Sequence, residues 1–148
     1  MKFLVAVDGS EASEEALAVA TTVAEAMDAS ITVVHAVSPS VYDEGGGEPL
    51  SSAEAGRRLI VESIEAAERR GSDVVEDAVS LAADRGHDIN SELLYGPPVS
   101  TIADFAEADG FDAIFVGHRG MSRRAEQLLG SVAKGLVERT SVPVTVVR

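Results

Sequence analysis

Four small residues at fixed spacing are the part of this sequence best suited to chemistry. They follow the pattern Gly-x2-Gly-x9-Gly-Ser and occupy Gly117, Gly120, Gly130 and Ser131. Glycine lets a backbone turn sharply and approach a ligand with no Cβ in the way. Gly130 and Ser131 stand at the start of a predicted helix, where free N–H groups and the helix dipole attract anions. The pattern therefore predicts a phosphate-binding site.

Arginines are concentrated in the same segment, although the chain as a whole is acidic. Arg119, Arg123 and Arg124 lie within a few residues of one another, and guanidinium groups suit bidentate binding of phosphate. In the alternative interpretation, the glycines are ordinary turn residues and the arginines form a solvated surface. That alternative accounts well for Gly117 alone, whereas the whole set together favours anion binding.

The spacing of the histidines and of the remaining carboxylates predicts neither a metal site nor a catalytic pair. His35 lies in an apolar run and is expected to be a core or strand-end residue, and His87 is expected to be exposed. His118 either contacts phosphate or is a solvated loop residue. No HExxH or similar pattern joins these histidines. The acidic residues of 43–44 and 65–76 are expected to form a solvated surface.

Composition limits the class of protein. The 148 residues include 45% hydrophobic residues and no cysteine, and they carry a formal net charge of −13. This predicts one folded domain over residues 1–148, without disulfides or a thiol nucleophile. The charge disfavours nucleic acids and anionic membranes, and only two of the basic residues are lysines, which is typical of proteins from salt-loving cells. Apolar runs too short for a membrane span or a signal peptide predict a cytoplasmic location.

The elements that must position the glycine pattern alternate between strand and helix. Apolar runs predict strands at 2–7, 31–37, 89–95, 111–116 and 144–147, and helix compositions occupy 11–28, 51–85, 97–108 and 130–140. Gly71 is a candidate kink in the second helix, and 38–50 is expected to be a surface loop. The order predicts an α/β fold with a parallel sheet covered on both faces. Such sheets bind ligands at the carboxyl ends of their strands.

Several segments resemble the universal stress protein family, and the resemblance covers nearly the whole chain. The first strand ends VAVDGSE, the second contains VVHAV, and the chain ends LLGSVAKGLVERTSVPVTVVR. The glycine spacing is the nucleotide-binding pattern of the family's ATP-binding branch. The resemblance implies a Rossmann-like five-stranded parallel sheet of order 3-2-1-4-5. It also implies a homodimer and ATP, with or without Mg²⁺, between strands one and four.

The resemblance also implies a role for individual residues. Ala6, Val7 and Asp8 would line the adenine and ribose side, and the backbone of Ala36 would lie against the adenine edge. The Ser131 hydroxyl would donate to a phosphate oxygen or bind Mg²⁺. Ribose and phosphates would be held by two further groups: Val116, Gly117, Arg119 and Gly120, and Gly130, Ser131, Val132 and Ala133.

The function implied is an ATP-binding stress sensor or regulator without fast turnover. No Walker lysine or pair of carboxylates accompanies the predicted cradle. A slow ATPase and a dimeric scaffold that binds no ATP remain as alternatives. An adenylate-forming enzyme of similar fold would need a Ser-Gly-Gly-x-Asp-Ser loop after the first strand, where this chain has VDGSEAS. The strand Val144–Val147 would pair with its copy in the dimer, or would be an end strand protected by the fold.

Overall fold

A parallel sheet of five strands forms the centre of the molecule. The computed structural model describes residues 1–38, 41–43, 59–61, 63–120 and 129–148. The strands of this sheet are β1 Lys2–Ala6, β2 Ser30–Val37, β5 Asn90–Tyr95, β6 Ala113–Gly117 and β7 Val144–Val147. They lie in the order β5-β2-β1-β6-β7, which is 3-2-1-4-5 when these five alone are counted. The predicted fold class and strand order are therefore confirmed.

Within the described residues, four helices cover the two faces of the sheet. They are α1 Glu11–Met27, α2 Ile64–Asp84, α3 Pro98–Ala108 and α4 Ser131–Arg139. Along β1, Phe3 and Val5 pack with α1 and α2, whereas Leu4 and Ala6 pack with α3 and α4. Both faces of the central strands are thus buried, which explains why these strands read as continuous apolar runs. Among the described residues, no helix is both long and apolar enough to cross a membrane.

The two helices on the first face begin at serine caps. Ser10 Oγ accepts a hydrogen bond from the Ser13 N–H at 3.2 Å. Ser63 Oγ accepts one from the Ala66 N–H at 3.1 Å. Acidic residues in the first turn of each helix complement the positive end of the helix dipole. Each of these two N-termini thus has a serine side chain that accepts a hydrogen bond from one of its free N–H groups.

The prediction of the second helix over residues 51–85 was wrong in its first part. Strand β4 (Leu59–Val61) pairs antiparallel with β3 (Val41–Asp43), which itself lies in the predicted surface loop, and α2 begins only at Ile64. Residues 51–58 of the predicted helix, and most of the loop, lie outside the described residues. Strand pairing and β-branched residues override a helix-like composition here.

Gly71 does not break the helix, contrary to the expectation of a kink. Helix α2 runs through it, and Gly71 is buried against the sheet. A Cβ at this position would lie 2.9 Å from His35 Cδ2 and 3.2 Å from side-chain carbons of Leu93 and Val37. Gly71 therefore allows α2 to pack closely on β2 and β5.

Candidate functional site

A cavity of about 480 Å³ lies at the carboxyl ends of β1, β2 and β6. This volume falls in the usual range for small-molecule sites, roughly 300–1,000 Å³. All of the residues that the family resemblance implied for the nucleotide line it. They are Ala6, Val7, Asp8, Ala36, Val116, Gly117, Arg119, Gly120, Gly130, Ser131, Val132 and Ala133. Residues that are far apart in sequence thus meet at one end of the sheet, as its parallel topology requires.

The N-terminus of α4 opens into this cavity without a cap. Gly130 is the N-cap residue, no described side chain caps the helix, and its first turn carries no acidic residue. The helical hydrogen-bond ladder begins with the Lys134 N–H, which donates to the Gly130 carbonyl at 3.0 Å. The N–H groups of Ser131, Val132 and Ala133 precede that ladder and are the donors that a helix leaves for an external acceptor. This end of α4 is therefore suited to an anion.

Close packing explains the lack of a side chain at two glycines of the pattern. The positive-φ glycines in the described chain are Gly9, Gly86, Gly96 and Gly110, so the glycines of the pattern do not adopt the left-handed backbone that favours glycine. A Cβ on Gly117 would lie 2.7 Å from the carbonyl carbon of Ala12 in α1, and one on Gly130 would lie 3.2 Å from the His118 carbonyl oxygen. The close neighbours at these two positions are parts of the protein itself.

Asp8 lies between the loop after β1 and the glycine loop after β6. Its Oδ1 accepts a hydrogen bond from the Ser10 N–H at 2.9 Å. Its Oδ2 lies only 2.9 Å from the point where a Cβ on Gly120 would stand. One carboxylate oxygen is thus fixed by the backbone, and the other faces the segment in which phosphate binding was predicted. Arg119 on that segment is exposed at the cavity, whereas Arg123 and Arg124 lie outside the described residues.

His35 is a half-buried strand residue that also lines the cavity. Its Nδ1 lies 2.8 Å from the Val7 carbonyl oxygen, and because a carbonyl only accepts, Nδ1 carries the proton. Its Nε2 is buried with no hydrogen-bond partner among the described residues. His35 thus fixes the end of β1, in keeping with its expected place at a strand end.

The other two histidines depart from the sequence-based expectations. His118 Nδ1 lies 3.2 Å from the Val147 carbonyl oxygen, so the side chain is directed towards β7 rather than solvated. His87 is half-buried instead of exposed. No group of three His, Cys, Asp or Glu side chains in the described chain is arranged to hold a metal ion.

Of the described residues that line the cavity, sequence reasoning missed four: Ser13, His35, Pro98 and Ile102. Pro98 and Ile102 are four residues apart on α3 and therefore share one helix face. That spacing is visible in the sequence, but only the strand order shows that α3 starts beside the cavity. Ser13 is a buried residue in the first turn of α1, and its Oγ donates to the Ser10 carbonyl at 2.9 Å.

Two titratable groups with shifted pKa values lie on elements outside the cavity. The Ser141 N–H and then the Thr140 hydroxyl donate to Glu107 and hold the pKa of that carboxyl below its ordinary value. The hydroxyl of Tyr95 donates to Glu68, which raises the pKa of Tyr95. Neither Glu107 nor Tyr95 lines the cavity.

Comparison with known proteins agrees with this architecture. The model of the universal stress protein family matches residues 1–148. Universal stress protein YxiE of Bacillus subtilis is 30% identical over 99% of this chain and 98% of its own length. A universal stress protein of Methanocaldococcus jannaschii is 31% identical over 99% of this chain and 81% of its own length. A solved universal stress protein in complex with cAMP is 25% identical, with a TM-score of 0.67 over 100% of this chain and 97% of that one. The chain belongs to the universal stress protein family.

Proposed function

We propose that this protein binds ATP in the cavity at the ends of β1 and β6 and acts as a nucleotide-responsive stress regulator in the cytoplasm. The observation that carries the proposal is the uncapped N-terminus of α4, free of acidic residues, opening into a cavity of about 480 Å³. The relative solved with cAMP supports an adenine nucleotide as the ligand. Backbone N–H groups at a helix N-terminus form a general phosphate site.

The cavity offers different surroundings to the two ends of a nucleotide. Ala36, Ile102 and Val116 supply buried apolar surface, which suits a nucleobase. Ser131 and Arg119 are exposed polar residues at the other end. The net charge of −13 opposes an anionic ligand, so the guanidinium and the helix dipole must offset that repulsion locally. We therefore place the base against the apolar wall and the phosphates at α4.

A magnesium ion fits this arrangement only together with the nucleotide. Ser131 lies at the N-terminus of α4, and Asp8, which the family resemblance assigned to the adenine and ribose side, directs its Oδ2 at Gly120 of the glycine loop. Mg²⁺ is typically held by one or two carboxylates plus substrate phosphates. When bound, the ion would neutralise phosphate charge. The protein's own part would be to hold the carboxylate of Asp8 in place through the Ser10 N–H.

We propose that the protein retains ATP rather than hydrolysing it rapidly. Asp8 is the carboxylate among the described lining residues, and one of its oxygens already accepts a backbone hydrogen bond. Slow hydrolysis is the second candidate because Asp8 Oδ2 faces Gly120 at the proposed phosphate end. Turnover well above one per minute that is lost in Asp8→Asn would establish the ATPase instead.

Equilibrium titration tests the nucleotide proposal. Wild type, titrated at high salt with ATP, AMP and adenosine, should bind one ATP per chain and should bind adenosine more weakly. Gly130→Val should abolish ATP binding, because even a Cβ at Gly130 meets the His118 carbonyl oxygen at 3.2 Å. Ser131→Ala should weaken ATP by about two- to tenfold, the value of one hydrogen bond, and Ser80→Ala on the exposed face of α2 should change nothing. A folded wild type that takes up no ATP would favour the scaffold.

We further propose a homodimer formed by β7. Strand β7 is an edge strand whose valines at Val144 and Val146 remain half-buried. The carbonyl oxygens of Pro143 and Val147 accept hydrogen bonds at 2.8 Å from the N–H groups of Ile114 and His118, respectively. Because the backbone groups of successive residues in a strand point to opposite sides, the N–H groups of Val144 and Val146 point to the free edge. Val146→Pro removes one outward donor and should yield monomers in analytical ultracentrifugation, whereas Ser91→Pro on the opposite edge should not. A monomeric wild type would contradict the dimer.

A further inference from the structure

His118 joins the glycine loop to the last strand of the sheet. It stands between Gly117 and Arg119, which both line the cavity. Its backbone N–H donates to the Val147 carbonyl oxygen at 2.8 Å, and its Nδ1 lies 3.2 Å from the same oxygen. Because a carbonyl only accepts, Nδ1 carries a proton. Two donors of one residue therefore converge on the end of β7.

The carbonyl of the same residue holds the start of α4. The Gly130 N–H donates to the His118 carbonyl oxygen at 2.6 Å. Gly130 is the N-cap of α4, and a Cβ on it would lie 3.2 Å from that oxygen and 3.3 Å from the Arg119 Cα. The glycine loop and the helix N-terminus are thus in direct backbone contact. The orientation of the His118 peptide sets where the first turn of α4 begins.

We propose that His118 is a positioning residue for the phosphate end of the cavity, an inference that rests on the proposed nucleotide function. The ring anchors the residue to β7, and its carbonyl then holds Gly130 so that the N–H groups of Ser131–Ala133 converge on one anion. Hydrogen bonds favour donor angles above about 150° and weaken steeply below about 120°. A rotation of the His118 peptide that tilts the first turn of α4 away from the anion therefore weakens phosphate binding, while the apolar wall that meets the base stays unchanged.

Loss of the His118 ring should affect the affinity for a phosphate-bearing ligand differently from the affinity for a nucleoside. If the ring only stabilised the fold, its loss would weaken every ligand to the same extent. If it positions α4, its loss weakens ATP and leaves adenosine nearly unchanged. By thermodynamic reciprocity, ATP should then protect the amide of His118, which bonds to β7, more strongly than adenosine does.

Three variants test the proposal through affinities for ATP and adenosine measured at the same salt. His118→Ala should weaken ATP by about three- to tenfold, the range expected for one lost hydrogen bond, and adenosine by less than about twofold. His118→Asn places an amide donor near the position of Nδ1 and should restore ATP affinity to within about twofold of wild type. His87→Ala, a second half-buried histidine outside the cavity lining, should match wild type. Equal losses for both ligands, or no loss, would overturn the proposal.

Amide hydrogen exchange in the free protein keeps this test separate from the test of the nucleotide function. A wild type that binds no ATP would contradict the proposed function alone. In that case, faster exchange of the Gly130 N–H in His118→Ala, reversed in His118→Asn, would still establish that the ring positions α4. Unchanged exchange at Gly130 would refute the positioning role.

Discussion

Replacing Gly117 by alanine tests whether this glycine serves helix packing rather than the ligand. A Cβ at Gly117 would lie 2.7 Å from the Ala12 carbonyl carbon, 2.8 Å from its oxygen and 2.9 Å from its Cβ. Carbon atoms in contact normally stand about 3.5–4.0 Å apart, so α1 and β6 must separate by about 1 Å. Overpacking of this kind lowers the free energy of unfolding by about 1–3 kcal/mol. Alanine also lowers the entropy of the unfolded chain, which raises the free energy of unfolding by about 0.4–1 kcal/mol.

Gly120→Ala in the same loop is the matched control. Its Cβ would lie 2.9 Å from Asp8 Oδ2, which is the end of a side chain that can rotate away. That rotation costs about 0.5–1.5 kcal/mol. The lower conformational entropy of the unfolded alanine chain largely offsets this cost. Urea unfolding at fixed salt should show Gly117→Ala less stable by about 1–2 kcal/mol, which lowers Tm by roughly 2–8 °C for a chain of this size. Gly120→Ala should keep its stability within about 1 kcal/mol of wild type and change ATP affinity. Equal stability of Gly117→Ala and wild type would refute the packing argument.

Three further predictions concern stability. Gly135→Ala should lower the free energy of unfolding by about 1–2 kcal/mol despite its better helix propensity, because a Cβ there would lie 2.6 Å from Val99 Cγ2. Adding Val99→Ala should recover most of that loss in a double-mutant cycle, and a Gly135→Ala variant more stable than wild type would contradict the packing. The lowered pKa of Glu107, caused first by the Ser141 N–H and then by the Thr140 hydroxyl, means that this carboxylate stabilises the fold above its ordinary pKa of 4.5. That contribution is lost as pH falls through the lower folded value, so wild type and Glu107→Gln should differ at pH 7 and converge in acid; a constant difference would count against it. Because the net charge is −13, stability should rise as KCl is increased, and salt-independent unfolding would argue against strong self-repulsion.

Two kinds of sequence information predicted the fold and the site. Alternating strands and helices predict a parallel sheet, and the gapped glycine pattern predicts an anion site after its fourth strand. The strand order and most of the individual lining residues were implied by the resemblance to the family, and Ser13, His35, Pro98 and Ile102 were missed. The hairpin of β3 and β4 was missed because its strands have three residues each, which is too short for a periodic signal.

Close contacts between distant residues were beyond the reach of the sequence. Ala12 stands opposite Gly117, and Asp8 opposite Gly120, only because β1 and β6 are neighbours in the sheet. The same holds for His118, whose bond to Val147 depends on the pairing of β6 with β7. The sequence predicts which residues are small or polar, whereas the three-dimensional fold decides which partner each one meets.

Backbone amide shifts during a titration with ATP would show whether the N-terminus of α4 binds the phosphates. Resonances of ¹⁵N-labelled wild type at high salt would be followed as ATP is added, with adenosine as the comparison. We expect saturable shifts at Ser131, Val132 and Ala133 with ATP, and much smaller shifts at these amides with adenosine. An absence of shifts at these three amides at saturating ATP, or equal shifts with both ligands, would contradict an anion site at the N-terminus of α4.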